Sequence, residues 1–390
     1  MGQNLRPTNK NLDGVVPYDP KYLPARLMLS ANENPGGLPT AVAGEVIVAL
    51  SKVQMNRYPD PLANDLRDLI AQQYGLVREN VMVGNGGDEL LFNIAFAWGG
   101  AGRTMLDCPP TFSVYAANAR LCGTTVVNID RKIEQVTGFC SNDRVASIAL
   151  GSALGAFPVN EEAVLERVAQ GDIDYLTICT PNNPTGDLSS VDFIERLLDA
   201  TDALVVVDEA YGEFAPEGSS VVPLLAKHKN LAVLRTLSKA YSMAGVRLGY
   251  LLANPEVITE LQKVRQPYSV DSLSQTVAKE VFKFLDLFEA RTALLASECD
   301  RVFEALNAMD GVVAYPSAAN YILFKLEEAD AGVVWQKLYD AGVLVRDFSA
   351  SPYTPNSLRV SMGIPEQNDA FLATLASILE EEKSNSELQG

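Results

Sequence analysis

Four short apolar runs, Tyr175–Cys179, Ala203–Val207, Leu231–Leu234 and Leu248–Ala253, restrict the fold of this chain more than any other feature. Each is the length of a strand rather than a helix. None alternates polar with apolar residues, as a strand covered on both faces need not. Helical patterns separate such runs along the chain: Thr40–Leu50, Leu62–Tyr74, Gly84–Trp98, a stretch starting near Asn160, and Ser189–Ala200, which Ser189 or Ser190 is placed to cap. Shorter strands are expected at Asn80–Val83, Thr104–Asp107 and Thr125–Asn128. Strands alternating with helices give an α/β protein with a largely parallel sheet. Sheets of that kind bind ligands beyond the C-terminal ends of their strands. The unusual polar segments fall there: Thr180-Pro-Asn-Asn-Pro-Thr-Gly186, then Asp208-Glu-Ala-Tyr211, then Arg235-Thr-Leu-Ser-Lys239.

Lys239 is the focus. It lies among Thr236, Ser238, Ser242 and Gly245, between two buried strands, with Arg247 following. A surface lysine in a loop is the ordinary reading of any one lysine. Desolvation between buried strands, however, disfavours an ammonium, and a lysine with a lowered pKa is a nucleophile suited to a carbonyl partner. Hydroxyls and a guanidinium nearby suit a phosphate. A second phosphate signal is Gly84-Asn-Gly86-Gly87-Asp88-Glu89, a glycine-rich loop opening a helix, although Asp88 and Glu89 would also serve simply as helix-start acids.

Other chemistry is excluded by counting. His228 is the only histidine, in the polar stretch Lys227-His-Lys-Asn230, so neither a serine–histidine–aspartate triad nor a histidine-based metal site can be assembled; a surface position is expected. Five scattered cysteines with no Cys-x-x-Cys spacing read as reduced thiols, with Cys179 a small buried thiol ending a strand. The formal charge of -18 argues against a nucleic-acid partner. No apolar run has the length of a membrane span, and the N-terminus lacks a signal-peptide core, so a cytoplasmic location is expected.

The three polar segments, in this order and at these separations, resemble the aspartate-aminotransferase-like, fold-type I enzymes that use pyridoxal 5′-phosphate. The resemblance runs from about Tyr18 to Gly363. Ser238-Lys-Ala followed by Ala244-Gly-Val-Arg-Leu-Gly-Tyr250 looks most like the histidinol-phosphate aminotransferases. The resemblance implies a large domain with a mostly parallel seven-stranded sheet and a smaller α+β domain. It implies that Lys239 holds the cofactor covalently and shuttles protons, that Asp208 keeps the pyridine nitrogen protonated, and that Tyr211 and Asn183 meet the ring oxygen. Phe112, in Pro-Pro-Thr-Phe, would stack on the ring where tyrosine is more usual. Gly86, Gly87, Asp88, Thr236, Ser238 and Arg247 would surround the phosphate. Tyr58, in Arg-Tyr-Pro, would reach the phosphate of a neighbouring subunit, implying a homodimer; a plain Tyr-Pro turn is the alternative. Arg346 and Arg359 would hold substrate anions, with Asn183 also on the substrate side. Tyr18 and Asn32, in Ser-Ala-Asn-Glu-Asn-Pro, are substrate-side candidates that read equally well as ordinary turn residues. Tyr115 reads as packing.

The implied reaction is amino transfer from histidinol phosphate to 2-oxoglutarate, a small-molecule donor and a 2-oxo acid acceptor. Aromatic-amino-acid aminotransferases and threonine-phosphate decarboxylases share many of these motifs, and a catalytically silent regulator on the same fold is the remaining alternative. From Ile129 to Phe157 the chain departs from the resemblance with an extra segment, expected to be a surface excursion. The helical pattern from Ser272 to Met309 is too long to be uninterrupted and is expected to contain the crossover to the smaller domain. Strands and helices follow from Val312 to Glu382, and the acidic tail from Glu380 to Gly390 is expected to fray. These readings place an N-terminal arm and part of the small domain at residues 1–50, the large cofactor domain at 51–272 and the small domain at 273–390.

Overall fold

The computed structural model describes residues 5–15, 17, 19, 21, 23–132 and 156–387. After β1 (Leu27–Leu29), the chain lays down β2 (Val81–Asn85), β3 (Thr104–Asp107), β4 (Thr125–Asn128), β5 (Tyr175–Cys179), β6 (Leu204–Asp208), β7 (Leu231–Thr236) and β8 (Leu248–Ala253). β2 to β8 form one seven-stranded sheet in the order β2-β8-β7-β6-β5-β3-β4. Only β8 runs against its neighbours; the other pairs are parallel. The register sets Cys179 beside Asp208 and Asp208 beside Leu234, so β5, β6 and β7 end at one level.

The helices connecting these strands are α1 (Thr40–Leu50), α2 (Asn64–Gln73), α3 (Gly86–Trp98), α4 (Val114–Leu121), α5 (Glu161–Val168), α6 (Val191–Asp199), α7 (Pro255–Val264) and α8 (Ser272–Phe282). Successive residues of the central strands enter different cores, as the period of two requires. Val205, Val207 and Val233 pack with α2, α6 and α8, whereas Leu204, Val206 and Ala232 pack with α3, α4 and α7. Fully burying each valine or leucine contributes about 1.5–3 kcal/mol, which is why apolar runs rather than alternating ones appear here. Ser190, one of the two expected caps, accepts from the backbone N–H of Phe193 at 3.1 Å and starts α6.

The long helical pattern breaks where its apolar face changes partner. Val277, Ala278 and Val281 of α8 join the larger core; a 3-10 turn at Leu285–Phe288 follows, and Leu295, Cys299, Val302 and Leu306 of α9 (Glu289–Asn307) join a second core. That second core lies under β9 (Val312–Ala314), β10 (Tyr321–Leu326), β11 (Val343–Asp347) and β12 (Ser357–Ser361), with α10 (Ala331–Asp340) and α11 (Pro365–Glu387). The sheet order is β1-β11-β12-β10-β9, so the N-terminal segment contributes an edge strand, parallel to β11. Because α1 and α8 both bury their apolar faces in the larger core, we propose that the division between the lobes runs through the turn at 283–288 rather than at 272.

Three further expectations are corrected. The tail does not fray from Glu380: α11 continues to Glu387, helped by Lys337 pairing with Glu381 and Glu382 at 2.8 and 2.7 Å. His228 is not a plain surface residue; its ring is mostly covered and lies 3.9 Å from Glu195 and 3.8 Å from Asp199. Of the extra segment, residues 133–155 lie outside the described residues. The described base departs from a surface excursion, because Arg131, Ala156 and Phe157 are buried. Among the described residues, no helix is long and apolar enough to cross a membrane.

Candidate active site

The C-terminal ends of β5, β6 and β7, the start of α3 and the ends of β11 and β12 face a cavity of about 580 Å³. Lys239 lines it, with its amine donating to the carbonyl of Ala31 at 2.8 Å and standing 5.7 Å from the centre of the Tyr211 ring. Burial first, then the Arg359 guanidinium, lowers this amine to about 8. Attack on a carbonyl carbon needs the neutral amine, and the lowered value brings a usable fraction of it close to physiological pH.

On one side of Lys239 is a cradle for an anion. Gly86 (φ 77°) and Gly87 open α3, whose first amides have no helical acceptor. A Cβ on Gly86 would meet the movable end of Arg247, 2.5 Å from Nη2, so it is the positive φ, which L side chains rarely adopt, that calls for glycine here. Arg247 itself has φ 56° and pairs with Asp88 at 3.0 Å. The Thr236 hydroxyl lies 3.0 Å from that of Ser238 and accepts from the Ser238 N–H at 3.1 Å. Helix N–H groups, hydroxyls and a guanidinium together suit a phosphate.

On the other side is a carboxylate in want of a cation. Asp208 is 4% exposed; one oxygen accepts from the Tyr115 hydroxyl at 2.6 Å and the other from the Ala210 N–H at 3.0 Å. Burial outweighs these bonds and raises its pKa to about 6. A protonated ring nitrogen beside it would restore the ionised form. Phe112 lines the same wall, edge-on to Tyr115 with centroids 5.6 Å apart. Phosphate cradle, nucleophilic amine, apolar ring wall and buried carboxylate match the parts of pyridoxal phosphate in one cavity.

Tyr211 is buried, its hydroxyl accepts from Asn32 Nδ2 at 2.9 Å, and burial pushes its pKa up, so it is a neutral phenol. Asn32 (φ 55°) is fixed through its N–H and its side-chain carbonyl by the Ser361 hydroxyl. Arg359 donates to the Asn183 side chain and, at 2.7 Å, to the Ser30 carbonyl. Arg346 is registered opposite Arg359 across β11 and β12, and both line the cavity. Tyr58 is not brought in: it is 82% exposed and stacks on Tyr268 at 4.6 Å. Tyr18 lies outside the described residues. Tyr115 is the residue the sequence reading missed, since it bonds the carboxylate instead of only packing. Its place three residues after Phe112, closed by a turn bond from the Tyr115 N–H to the Phe112 carbonyl, was the available signal. Cys179 is buried, with its thiol pushed up to about 12, which suits the structural reading.

The family profile described as aminotransferase class I and II matches residues 25–375. A histidinol-phosphate aminotransferase of Desulfitobacterium hafniense is 34% identical over 375 residues, covering 96% of this chain and 97% of that protein. The structure of histidinol-phosphate aminotransferase from Sinorhizobium meliloti in complex with pyridoxal-5′-phosphate superposes with a TM-score of 0.80 at 22% identity, covering 97% of this chain and 99% of that one. L-threonine-O-3-phosphate decarboxylase from Porphyromonas gingivalis superposes with a TM-score of 0.75 at 24% identity, covering 91% and 99%. The chain belongs to the class I and II aminotransferase family, on the fold-type I scaffold. It is a transaminase that uses pyridoxal 5′-phosphate and acts on amino and 2-oxo acid substrates.

Proposed function

We propose that the physiological reaction transfers the amino group of histidinol phosphate to 2-oxoglutarate. One observation carries the choice: Arg346 and Arg359 stand side by side on adjacent strands and open onto the cavity of Lys239. Two guanidiniums suit substrates with a strongly anionic group at each turnover, a phosphate in the donor and a second carboxylate in the acceptor. An aromatic amino acid offers a single carboxylate charge, whereas a phosphate monoester carries about -1.5 to -2 at neutral pH and makes fuller use of the pair. The name carried by the Desulfitobacterium relative supports the same choice.

Bound pyridoxal phosphate would supply an electron sink that lets a proton leave the carbon bearing the substrate's amino group. We assign Lys239 Nζ as the base that takes this proton and returns it. Asp208 would hold a proton on the ring nitrogen, with Tyr115 orienting the carboxylate. Tyr211 and Asn183 would meet the ring oxygen, with Asn32 aiming the Tyr211 hydroxyl. Phe112 would cover the ring, and Gly86, Gly87, Asp88, Thr236, Ser238 and Arg247 would hold the phosphate. Arg359 and Arg346 orient the substrate anions.

The test is kcat/KM for histidinol phosphate, phenylalanine and threonine phosphate with suitable acceptors. Histidinol phosphate should lead by a clear margin, because a site built for a polar group rejects substrates that leave it unpaired. Arg359→Ala should lower kcat/KM in both half-reactions, by about 10- to 100-fold for the loss of a charge-assisted pair. A preference for phenylalanine, or carbon dioxide release from threonine phosphate, would overturn the substrate assignment and leave the cofactor chemistry standing.

A homodimer is part of this reading. Tyr58 and Tyr268 stack in the open, and Ile47, Val48, Met55, Phe92 and Phe96 are exposed apolar residues, which is surface suited to a second copy. Sedimentation should give a dimer; a fully active monomer would return Tyr58 to a structural role. Among the described residues Cys108, Cys122 and Cys179 carry thiols in no disulfide, which suits a reducing compartment, so we place the protein in the cytoplasm.

A further inference from the structure

The extra segment meets the active-site floor through Arg131, which is 4% exposed. Its guanidinium donates to three main-chain carbonyls: Nε to Cys108 at 3.1 Å, Nη1 to Phe157 at 3.2 Å and Nη2 to Cys179 at 3.4 Å. Cys108 follows the end of β3 and leads through Pro109-Pro-Thr into Phe112. Cys179 ends β5 and leads through Thr180-Pro-Asn into Asn183.

Main-chain bonds lock the arginine in place. Its own N–H donates to Pro109 O at 2.7 Å, Lys132 N–H to Pro158 O at 3.0 Å, and Phe157 N–H to the buried Asp187 carboxylate at 2.7 Å. The two ends of the segment are therefore joined at its base. Asn182 ties the same two loops a second time. It accepts from the Thr111 hydroxyl at 2.8 Å and donates to Pro110 O at 2.9 Å. Asp107 and Asp187 are the buried carboxylates whose charge the guanidinium offsets. Three carbonyls in three directions require a planar fork; a lysine ammonium on a flexible stem cannot serve them together.

We infer that Arg131 is a positioning residue for the active site, fixing the loop of Phe112 against the loop of Asn183 from the base of the extra segment. The inference rests on the site assignment above, in which Phe112 covers the cofactor ring and Asn183 meets its oxygen. Arg131 touches neither cofactor nor substrate and acts through the spacing of the two loops. Its removal strands three buried carbonyls and lets the ring wall drift from the ring-oxygen contact, and such small displacements cost rate.

The experiment compares Arg131→Met, Arg131→Lys and Asn183→Ala with the parent holoenzyme. Three quantities are read: the pH midpoint of the visible cofactor band, the affinity of the apo-protein for pyridoxal phosphate, and the Tm. Arg131→Met should move the midpoint in the same direction as Asn183→Ala and weaken cofactor binding about ten-fold or more, as expected from losing buried hydrogen bonds. Arg131→Lys should give a smaller effect of the same sign, and it decides the matter if Arg131→Met does not fold. A fall in Tm with midpoint and affinity unchanged would overturn the inference, leaving Arg131 a purely structural residue. An unmoved midpoint in Asn183→Ala would instead contradict the site assignment, and the inference would fall with it.

Discussion

Lys239→Ala should lower turnover by about 10⁴-fold or more, the scale of losing a positioned acid–base group that is also the covalent anchor. The variant loses the only lysine that lines the cavity among the described residues. It should still fold, because the amine makes a single hydrogen bond, to Ala31, and its burial is a cost to the ammonium form. The pH dependence follows from the lowered pKa. The amine is neutral above about 8, so capture of added cofactor by the apo-protein should speed up as pH rises through that value and then level. Between about 8 and 10.5 the unfolded chain holds a proton on this lysine that the folded apo-protein has shed, so the lysine makes stability rise with pH across that window. Rapid-mixing absorbance checks the first statement and apo-protein melting at several pH values the second; Lys239→Ala should remove both trends.

Asp208→Asn is the second large effect, expected at about 10³-fold in turnover, within the range for removing one preorganised electrostatic partner of the reacting centre. The amide keeps the shape but cannot hold a cationic ring nitrogen. Burial raises the Asp208 carboxyl from 3.8 to about 6 in the folded apo-protein. A raised acid contributes stability at low pH and loses it as pH climbs through about 6. A cofactor cation reverses that loss, so the Tm gained on adding pyridoxal phosphate should be larger at pH 8 than at pH 5. In Asp208→Asn much of this difference should vanish. Tyr115→Phe removes only the 2.6 Å hydrogen bond and should cost far less, about ten-fold, in keeping with one bond to a charged group. Equal losses in the two variants would show that Tyr115 does more than orient the carboxylate.

The strands were legible because a buried parallel sheet forces apolar runs, and the polar residues that end them had to lie at one edge. Lys239, Asp208 and Arg247 were legible for that reason. What stayed hidden depends on partners far away in the chain. Lys239 is held by the carbonyl of Ala31, a residue 208 positions earlier whose side chain carries no signal. Arg131 reads as a surface cation within Asp-Arg-Lys-Ile-Glu, and only the closure of Lys132 onto Pro158 turns it inward. The change of core between α8 and α9 was hidden too, since the apolar period persists through the turn while the surface it meets changes. Tyr58 was legible as a motif, but it is exposed in one chain, so any role it has belongs to an assembly.

The central claim is that Lys239 holds the cofactor and works from the cavity shared with Asp208 and the paired arginines. The measurement that tests it most directly is borohydride reduction of the holoenzyme followed by peptide mapping. Pyridoxyl label should appear on Lys239 alone, with activity lost in step with labelling and no label in Lys239→Ala. Label on another lysine, or full activity retained by Lys239→Ala, would contradict it.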